Sequence, residues 1–165
     1  MKMTLNKTTM NIVSNTTASP RVSGAVSPNA ALKLRKHADY QRVYASSRKQ
    51  FAKQMSFFYS LRPADGPDGK ARRSDTDGPR IGLTVGKVMG KAVDRNRIKR
   101  RMRECIRRHA GLMTAPVDVI LHPRKIVLEL EFAKLEREVA QVFKLIQMAI
   151  TKDAAAATLE SKQSV

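Results

Sequence analysis

Apolar positions along the chain switch between helical and strand spacing. Tyr40, Val43 and Tyr44 follow i, i+3, i+4 spacing and predict a short helix from about Ala38 to Ser46. From Gln50 to Leu61 the period falls to two. Phe51, Met55, Phe57, Tyr59 and Leu61 are expected on one face, with Lys53 the exception; Ala52, Gln54, Ser56, Phe58 and Ser60 fall on the other. Ile81, Leu83 and Val85 alternate with Gly82, Thr84 and Gly86 as a second strand, and Val117 to Leu121 makes a third, short and apolar. Phe132, Leu135, Val139, Val142, Phe143, Ile146 and Ile150 predict a closing amphipathic helix. Lys125 to Glu131 fits either a fourth strand or the lead-in to that helix. The order helix, strand, strand, helix, strand, helix implies an α/β (α+β) two-layer sandwich, a small sheet packed by helices.

These elements bound one domain, residues 32–150. Residues 1–30 hold 13 Ser, Thr or Asn, no acid and no aromatic. Such a segment buries too little apolar surface to offset its chain entropy, so residues 1–31 are expected to be a disordered extension. Its hydroxyl-rich, acid-poor character superficially fits a transit peptide, but Arg21 is its sole arginine. Pro63 to Pro79 contains four Asp, three Gly and three Pro and reads as a long flexible loop within the domain. Residues 151–165 lack an apolar face and read as a fraying, poorly ordered tail.

Charge narrows the function. The 165 residues carry 32 Lys+Arg against 14 Asp+Glu, a formal net charge of +18. A folded chain this basic repels itself unless a polyanion neutralises it. Apolar residues at 42% suffice for a modest core and argue against a wholly disordered basic tail. No apolar run is long enough to cross a bilayer, so an anionic membrane surface is the weaker competitor to nucleic acid. A single cysteine, Cys105, permits neither an intrachain disulfide nor a cysteine-rich zinc site. A soluble, cytoplasmic nucleic-acid-binding domain is the expectation.

The densest charge lies in Lys91 to His109, with nine Lys or Arg against Asp94 and Glu104. On a helix, Ile98, Met102, Cys105, Ile106 and His109 fall on one stripe, which faces the core. Asn96, Arg100, Arg103 and Arg107 fall on the opposite side with Lys99 beside them. Arg97, Arg101 and Arg108 line a flank near Glu104, and Arg95 lies near the core margin, reaching outward along its stem. A merely solvated face alternates signs. Here only Arg100–Glu104 and Glu104–Arg108 offer opposite charges four residues apart. The remaining arginines suit phosphate, whose oxygens match the guanidinium fork.

The polar face of the first two strands is the second clue. Ser56, Gly82, Thr84 and Gly86 are small, so a backbone or base can approach the sheet. Phe58 interrupts that face as a lone aromatic, and Tyr40 and Tyr44 either add stacking surface for unpaired bases or simply pack the helix onto the sheet. Other signals fail. Gly86 to Ala92 lacks the spacing and the hydroxyl residue of a phosphate-binding loop, and its glycines instead end a strand and turn into the helix. His37, His109 and His122 show no metal-ligand spacing, and Cys105 reads as a small buried hydrophobe. No catalytic constellation is visible, and a self-sufficient nuclease would need paired carboxylates for a metal, whereas the domain's acids lie mostly in the loop and the last helix. Two strands occupy the place where a helix-turn-helix factor needs its first helix.

Arg80-Ile-Gly-Leu-Thr-Val-Gly-Lys87, followed by Gly90-Lys-Ala-Val-Asp-Arg95-Asn96-Arg97-Ile-Lys99-Arg100-Arg-Met-Arg103-Glu104, resembles the signature of the bacterial ribonuclease P protein subunit. The match covers most of residues 32–150 and leaves out both tails and the Asp/Gly/Pro loop. The resemblance implies a ribonucleoprotein endoribonuclease that removes the 5′ leader of precursor tRNA. Its catalytic RNA performs hydrolysis with bound magnesium (Mg2+), and the protein binds that RNA and holds the leader. It implies a left-handed crossover between parallel strands, against the usual preference. By resemblance, Tyr40, Tyr44, Ser56, Phe58 and Thr84, with Lys36, form the leader-binding cleft. The same resemblance places Arg95, Asn96, Lys99, Arg100 and Arg103 facing the catalytic RNA and the start of the leader, and Arg97, Arg107 and Lys87 complete the expected RNA-binding set. The expected partners are thus the catalytic RNA and precursor tRNA, with no membrane, no obligate protein partner and no cofactor or metal held by the protein itself. Lys87-Val88 departs from the family's two successive lysines, so one basic contact is missing. The alternative is a basic RNA-binding protein of ribosomal type.

Overall fold

The computed structural model describes residues 33–62 and 78–163. The expected extension over 1–31 and most of the 63–79 loop lie outside these residues. The elements in chain order are α1 (His37–Ser46), β1 (Gln50–Phe51), β2 (Met55–Leu61), β3 (Arg80–Leu83), α2 (Ala92–His109), β4 (Val117–Pro123) and α3 (Phe132–Gln163). The strands form one mixed sheet in the order β1-β2-β4-β3, with β3 parallel to β4 and the other pairs antiparallel. The parallel pair is joined through α2. The α+β class and helix-packed sheet expected from the apolar pattern are what the chain adopts.

Alternation along β4 divides the molecule. Val117, Val119 and Leu121 point to a large core that also buries Met55, Phe57, Ile98, Met102, Cys105 and the α3 stripe Leu135, Val139, Val142, Phe143 and Ile146. Each such side chain contributes roughly 1.5–3 kcal/mol when fully buried. Asp118, Ile120 and His122 point to the other face, which α1 covers with a far smaller cluster of Leu34, Val43 and Ile120, flanked by Tyr40 and Phe58. Cys105 is buried as expected, and desolvation, with Glu136 adding to it, pushes its thiol up to about 11.

The Gln50–Leu61 segment is not one strand. Ala52 amide bonds the Met55 carbonyl at 2.8 Å, so Lys53 and Gln54 form a two-residue turn, and β1 folds back on β2 with Phe51 opposite Ser56. Directly opposed residues share a face. Phe51 therefore lies on the Ser56 side rather than with Met55, and it is 69% exposed. Lys53 was the residue that broke the alternation, and it marks the turn. The Gln54 amide is anchored by the Glu138 carboxylate from α3. Residues Lys125–Leu128 form a 3-10 turn leading into α3, which resolves the open choice there. The α3 helix continues past Ile150 through Gln163, across the expected tail.

The β3–α2 link depends on Gly90. After a 3-10 turn at Lys87–Met89, Gly90 adopts φ 120°, a conformation other residues rarely adopt. The Asp94 carboxylate then accepts the Lys91 amide at 3.2 Å and caps α2.

Candidate nucleic-acid interface

Strand register lays out the α1 face of the sheet as three cross-strand rows. The first is Ser60, Asp118 and Arg80; the second is Phe58, Ile120 and Gly82; the third begins Phe51, Ser56, His122. Thr84 follows on beside His122, its amide bonded to the Leu121 carbonyl at 3.0 Å.

The first row is locked by charge. Asp118 is fully buried, and Arg42, Arg62 and Arg80 all donate to its carboxylate. Arg80 grips it through Nε at 2.7 Å and Nη2 at 2.6 Å, and this bond leads the upward shift of its own pKa. Asp39 of α1 joins Arg42 and Arg80 at 3.2 Å each. Ser46 donates to Ser60 at 2.8 Å. A short helix with one fully buried valine is thereby tied to the sheet largely through ions.

The second row sets the aromatics. Tyr40 lies so close over Gly82 that a Cβ there would stand 2.6 Å from its hydroxyl. Burial raises the Tyr40 pKa. Val43 packs on Ile120, while Tyr44 meets Phe58 edge to face at 4.9 Å between ring centroids. Phe58 is therefore not a lone aromatic: it belongs to a Tyr44–Phe58–His122 group, with His122 at 5.6 Å from its ring centroid. The two tyrosines are placed differently. Tyr40 seals the joint, and Tyr44, 39% exposed, presents its ring at the surface.

The third row is open. The Tyr44 hydroxyl reaches it, sharing a 3.0 Å hydrogen bond with His122 Nε2. Burial lowers the His122 pKa, with Lys49 adding to the effect, so the ring is neutral near pH 7. Ser56 is a buried floor beside it. Thr84, Tyr40 and Leu83 line a groove of about 420 Å³ with Arg35, His37 and Lys99. Lys36 is exposed at the start of α1. Lys99 thus brings the basic helix to the mouth of the aromatic face.

On α2 the expected stripe is buried at Ile98, Met102 and Cys105, and half-buried at Ile106 and His109. One flank is occupied. Arg101 bonds the Leu128 and Leu130 carbonyls, Arg108 holds Glu104 at 2.8 Å and Glu136 at 3.2 Å, and His109 meets Glu136 at 3.1 Å. The expected Arg100–Glu104 pair does not form. Glu104 instead takes Arg107 in two bonds of 3.0 and 2.6 Å, and Arg107 followed by Arg108 draws its pKa down to about 2. The i, i+3 partner lies nearer its carboxylate than the residue one turn before. Arg97, Arg100, Arg103 and Asn96 stay exposed with no ion pair among the described residues, as does Lys87 in its turn. Arg95 is half-buried, its Nε without a partner among the described residues, as its place at the core margin predicts.

Two residues were missed by sequence reasoning, His122 and Phe51. His122 was weighed only as a metal ligand; its place opposite Ser56 follows from a pairing far apart in the chain. Phe51 was put on the wrong face. Among the described residues no three His, Cys, Asp or Glu converge to hold a metal, and no helix is long and apolar enough to cross a membrane.

The chain has recognisable relatives among known proteins. The family model for ribonuclease P matches residues 29–147. The ribonuclease P protein component of Brucella melitensis is 35% identical over 111 residues, 67% of this chain and 76% of that protein. That of Syntrophus aciditrophicus is 30% identical over 106 residues, 64% of this chain and 79% of the relative. The Staphylococcus aureus RNase P protein structure superposes with a TM-score of 0.55 at 25% identity, over 70% of this chain and 95% of that one. The Thermotoga maritima RNase P protein, at 23% identity and a TM-score of 0.54 over 68% and 94% of the two chains, shares the fold.

Proposed function

The chain belongs to the ribonuclease P protein family, and from that premise we propose that it binds the catalytic RNA through α2 and holds the 5′ leader of precursor tRNA across the α1 face of its sheet. Membership makes it a protein component of a ribonucleoprotein in tRNA processing. The observation that carries the finer reading is the division of labour between the two surfaces. The aromatic face offers Tyr44, Phe58 and His122 above the small floor of Ser56 and Thr84, which suits unpaired, splayed bases. The helix offers Arg97, Arg100 and Arg103 free of acids, which suits phosphate backbone. Lys99, at the groove that joins them, meets the start of the leader, and Arg95, Asn96, Arg107 and Lys87 extend the basic surface. Hydrolysis is left to the RNA and its magnesium; the protein's own residues bind, orient and neutralise.

The test is reconstitution at low magnesium with a bacterial ribonuclease P RNA and a labelled precursor tRNA. Cleavage at the mature 5′ end that requires the RNA and is stimulated by the protein is expected. Tight RNA binding without stimulation would favour a ribosomal-type RNA-binding role instead. Within that assay, Phe58→Ala is expected to cost about 1–3 kcal/mol in binding leader-bearing substrate while leaving mature tRNA unaffected. Equal losses on both would remove Phe58 from the leader path.

A further inference from the structure

The turn at Lys53 and Gln54 places a further aromatic at the open end of the third row. Phe51 stands opposite Ser56, and Ser56 opposite His122, so all three side chains lie on one face of the sheet. Two strand spacings, about 10 Å, separate Phe51 from His122, with the buried Ser56 as the floor between them. Phe51, 69% exposed, stands at one end of this row and the Tyr44–Phe58–His122 group at the other; at the sheet edge Phe51 also lines a groove of about 600 Å³ with Ala52 and the α3 residues Glu138, Val142 and Leu145. The Lys49 Nζ stands 5.4 Å from the Phe51 ring centroid, and Lys49 is also the cation that His122 senses. Lys49 makes no ion pair among the described residues. An exposed ring, a small floor beside it, a neighbouring aromatic group and a cation at the lip together match an unpaired nucleotide, with its base stacked on Phe51 over Ser56 and its phosphate at Lys49.

We propose that Phe51, Ser56 and Lys49 form a subsite for one unpaired nucleotide, lying at the β1 edge of the sheet beyond the Tyr44–Phe58 pair. Resting on the leader-binding reading above, this subsite takes a leader nucleotide farther from the cleavage site than those near Lys99, because Phe51 and α2 lie toward opposite edges of the sheet. It makes binding sensitive to leader length.

The experiment uses the full chain assembled with ribonuclease P RNA and precursors whose leaders are lengthened one nucleotide at a time. With the unmodified protein, affinity is expected to rise at the length that reaches Phe51. Phe51→Ala is expected to abolish that step, a loss of about 5- to 150-fold on long leaders with short leaders unchanged. Phe51→Tyr is expected to restore it. Lys49→Ala should lower the log–log salt slope by about 0.7 on long leaders only. The chain contains no tryptophan, so Phe51→Trp introduces a single fluorophore whose emission should be quenched by long leaders and not by short ones. Unchanged affinity in Phe51→Ala at every length, equal loss at every length, or emission indifferent to leader length would each overturn the subsite. If Phe58→Ala still discriminates leader-bearing substrate in those cases, the leader cleft stands without this extension. If neither variant does, the cleft itself falls.

Discussion

Arginines do opposite work in two parts of this molecule. Arg42, Arg62 and Arg80 converge on the buried Asp118 and hold α1 on the sheet. Arg97, Arg100 and Arg103 project from α2 with no carboxylate partner among the described residues. The side chain is the same; what differs is the acid within reach. In β4 an aspartate stands among apolar residues, where an unpaired charge is costly, so cations are drawn in. On α2 both acids are already engaged: Asp94 caps the helix, and Glu104 is held by Arg107 and Arg108. A basic composition therefore does not map onto a nucleic-acid surface until its internal ion pairs are subtracted.

The largest expected effect comes from breaking the locked set. Asp118→Asn leaves the buried Arg62 and the half-buried Arg42 and Arg80 without this counter-charge and should cost about 3–5 kcal/mol of folding stability, measured by urea denaturation. A loss under about 1 kcal/mol would show that the cluster does not hold α1. Next is Gly82→Ala, which forces Tyr40 off its seat. It should cost about 1–3 kcal/mol and weaken leader binding while sparing affinity for the catalytic RNA. Equal loss on both RNAs would contradict the separation of the two surfaces.

The free set should behave in reverse. Arg100→Ala with Arg103→Ala is expected to leave stability within about 0.5 kcal/mol for each change and to lower the salt slope of RNA binding by roughly 0.7–0.9 for each lost contact. An unchanged slope would mean that this face does not touch phosphate. Glu104→Gln sharpens the same point from the other side: it releases Arg107 and should steepen the slope by up to one such contact. Substitution is needed here because Glu104, held at about 2, stays ionised through any pH used for binding.

The smallest effect is a pH dependence where the locked and open rows meet. Burial lowers the His122 pKa, so the unfolded chain takes up that proton first as pH falls through about 6.5. Its contribution to stability is complete above that pH and declines below it, until the folded ring also titrates. Melting temperature followed from neutral to mildly acid pH should fall less in His122→Gln than in the unmodified chain. Parallel curves would mean that His122 is not shielded by Tyr44 and Phe58.

Much of α2 and the large core was legible because their information is local. Ile98, Met102 and Cys105 lie on one helical stripe, and the glycines before the helix announced the turn that Gly90 makes. The α1 face was harder to read because its partners are distant in the chain. Asp118 meets Arg42 across 76 residues, and Tyr44 meets His122 across 78. Nothing in the Val117–Leu121 run indicates which cations its acid will gather. Phe51 was misplaced for a different reason. A Lys-Gln turn carries no glycine, asparagine or proline, so period-two alternation continued on paper through a chain reversal, and only Lys53 objected.

The central position of β4 has a consequence for assembly. Both of its neighbours, β2 and β3, are synthesised before it, as is the whole of α1 and α2. Neither earlier strand pairs with the other, so the sheet gains its first long-range ladder only when residues 117–123 emerge. Until then Arg42, Arg62 and Arg80 lack the Asp118 carboxylate that will neutralise them, and the nascent chain presents those cations alongside the arginines of α2. Pairing β4 with β2 closes loops of 56 to 68 residues, which makes this ladder a slow, late event compared with helix formation. The newborn chain is thus more cationic at its surface than the finished domain, and the closing of β4 is the step that retires one set of arginines and leaves the other on display.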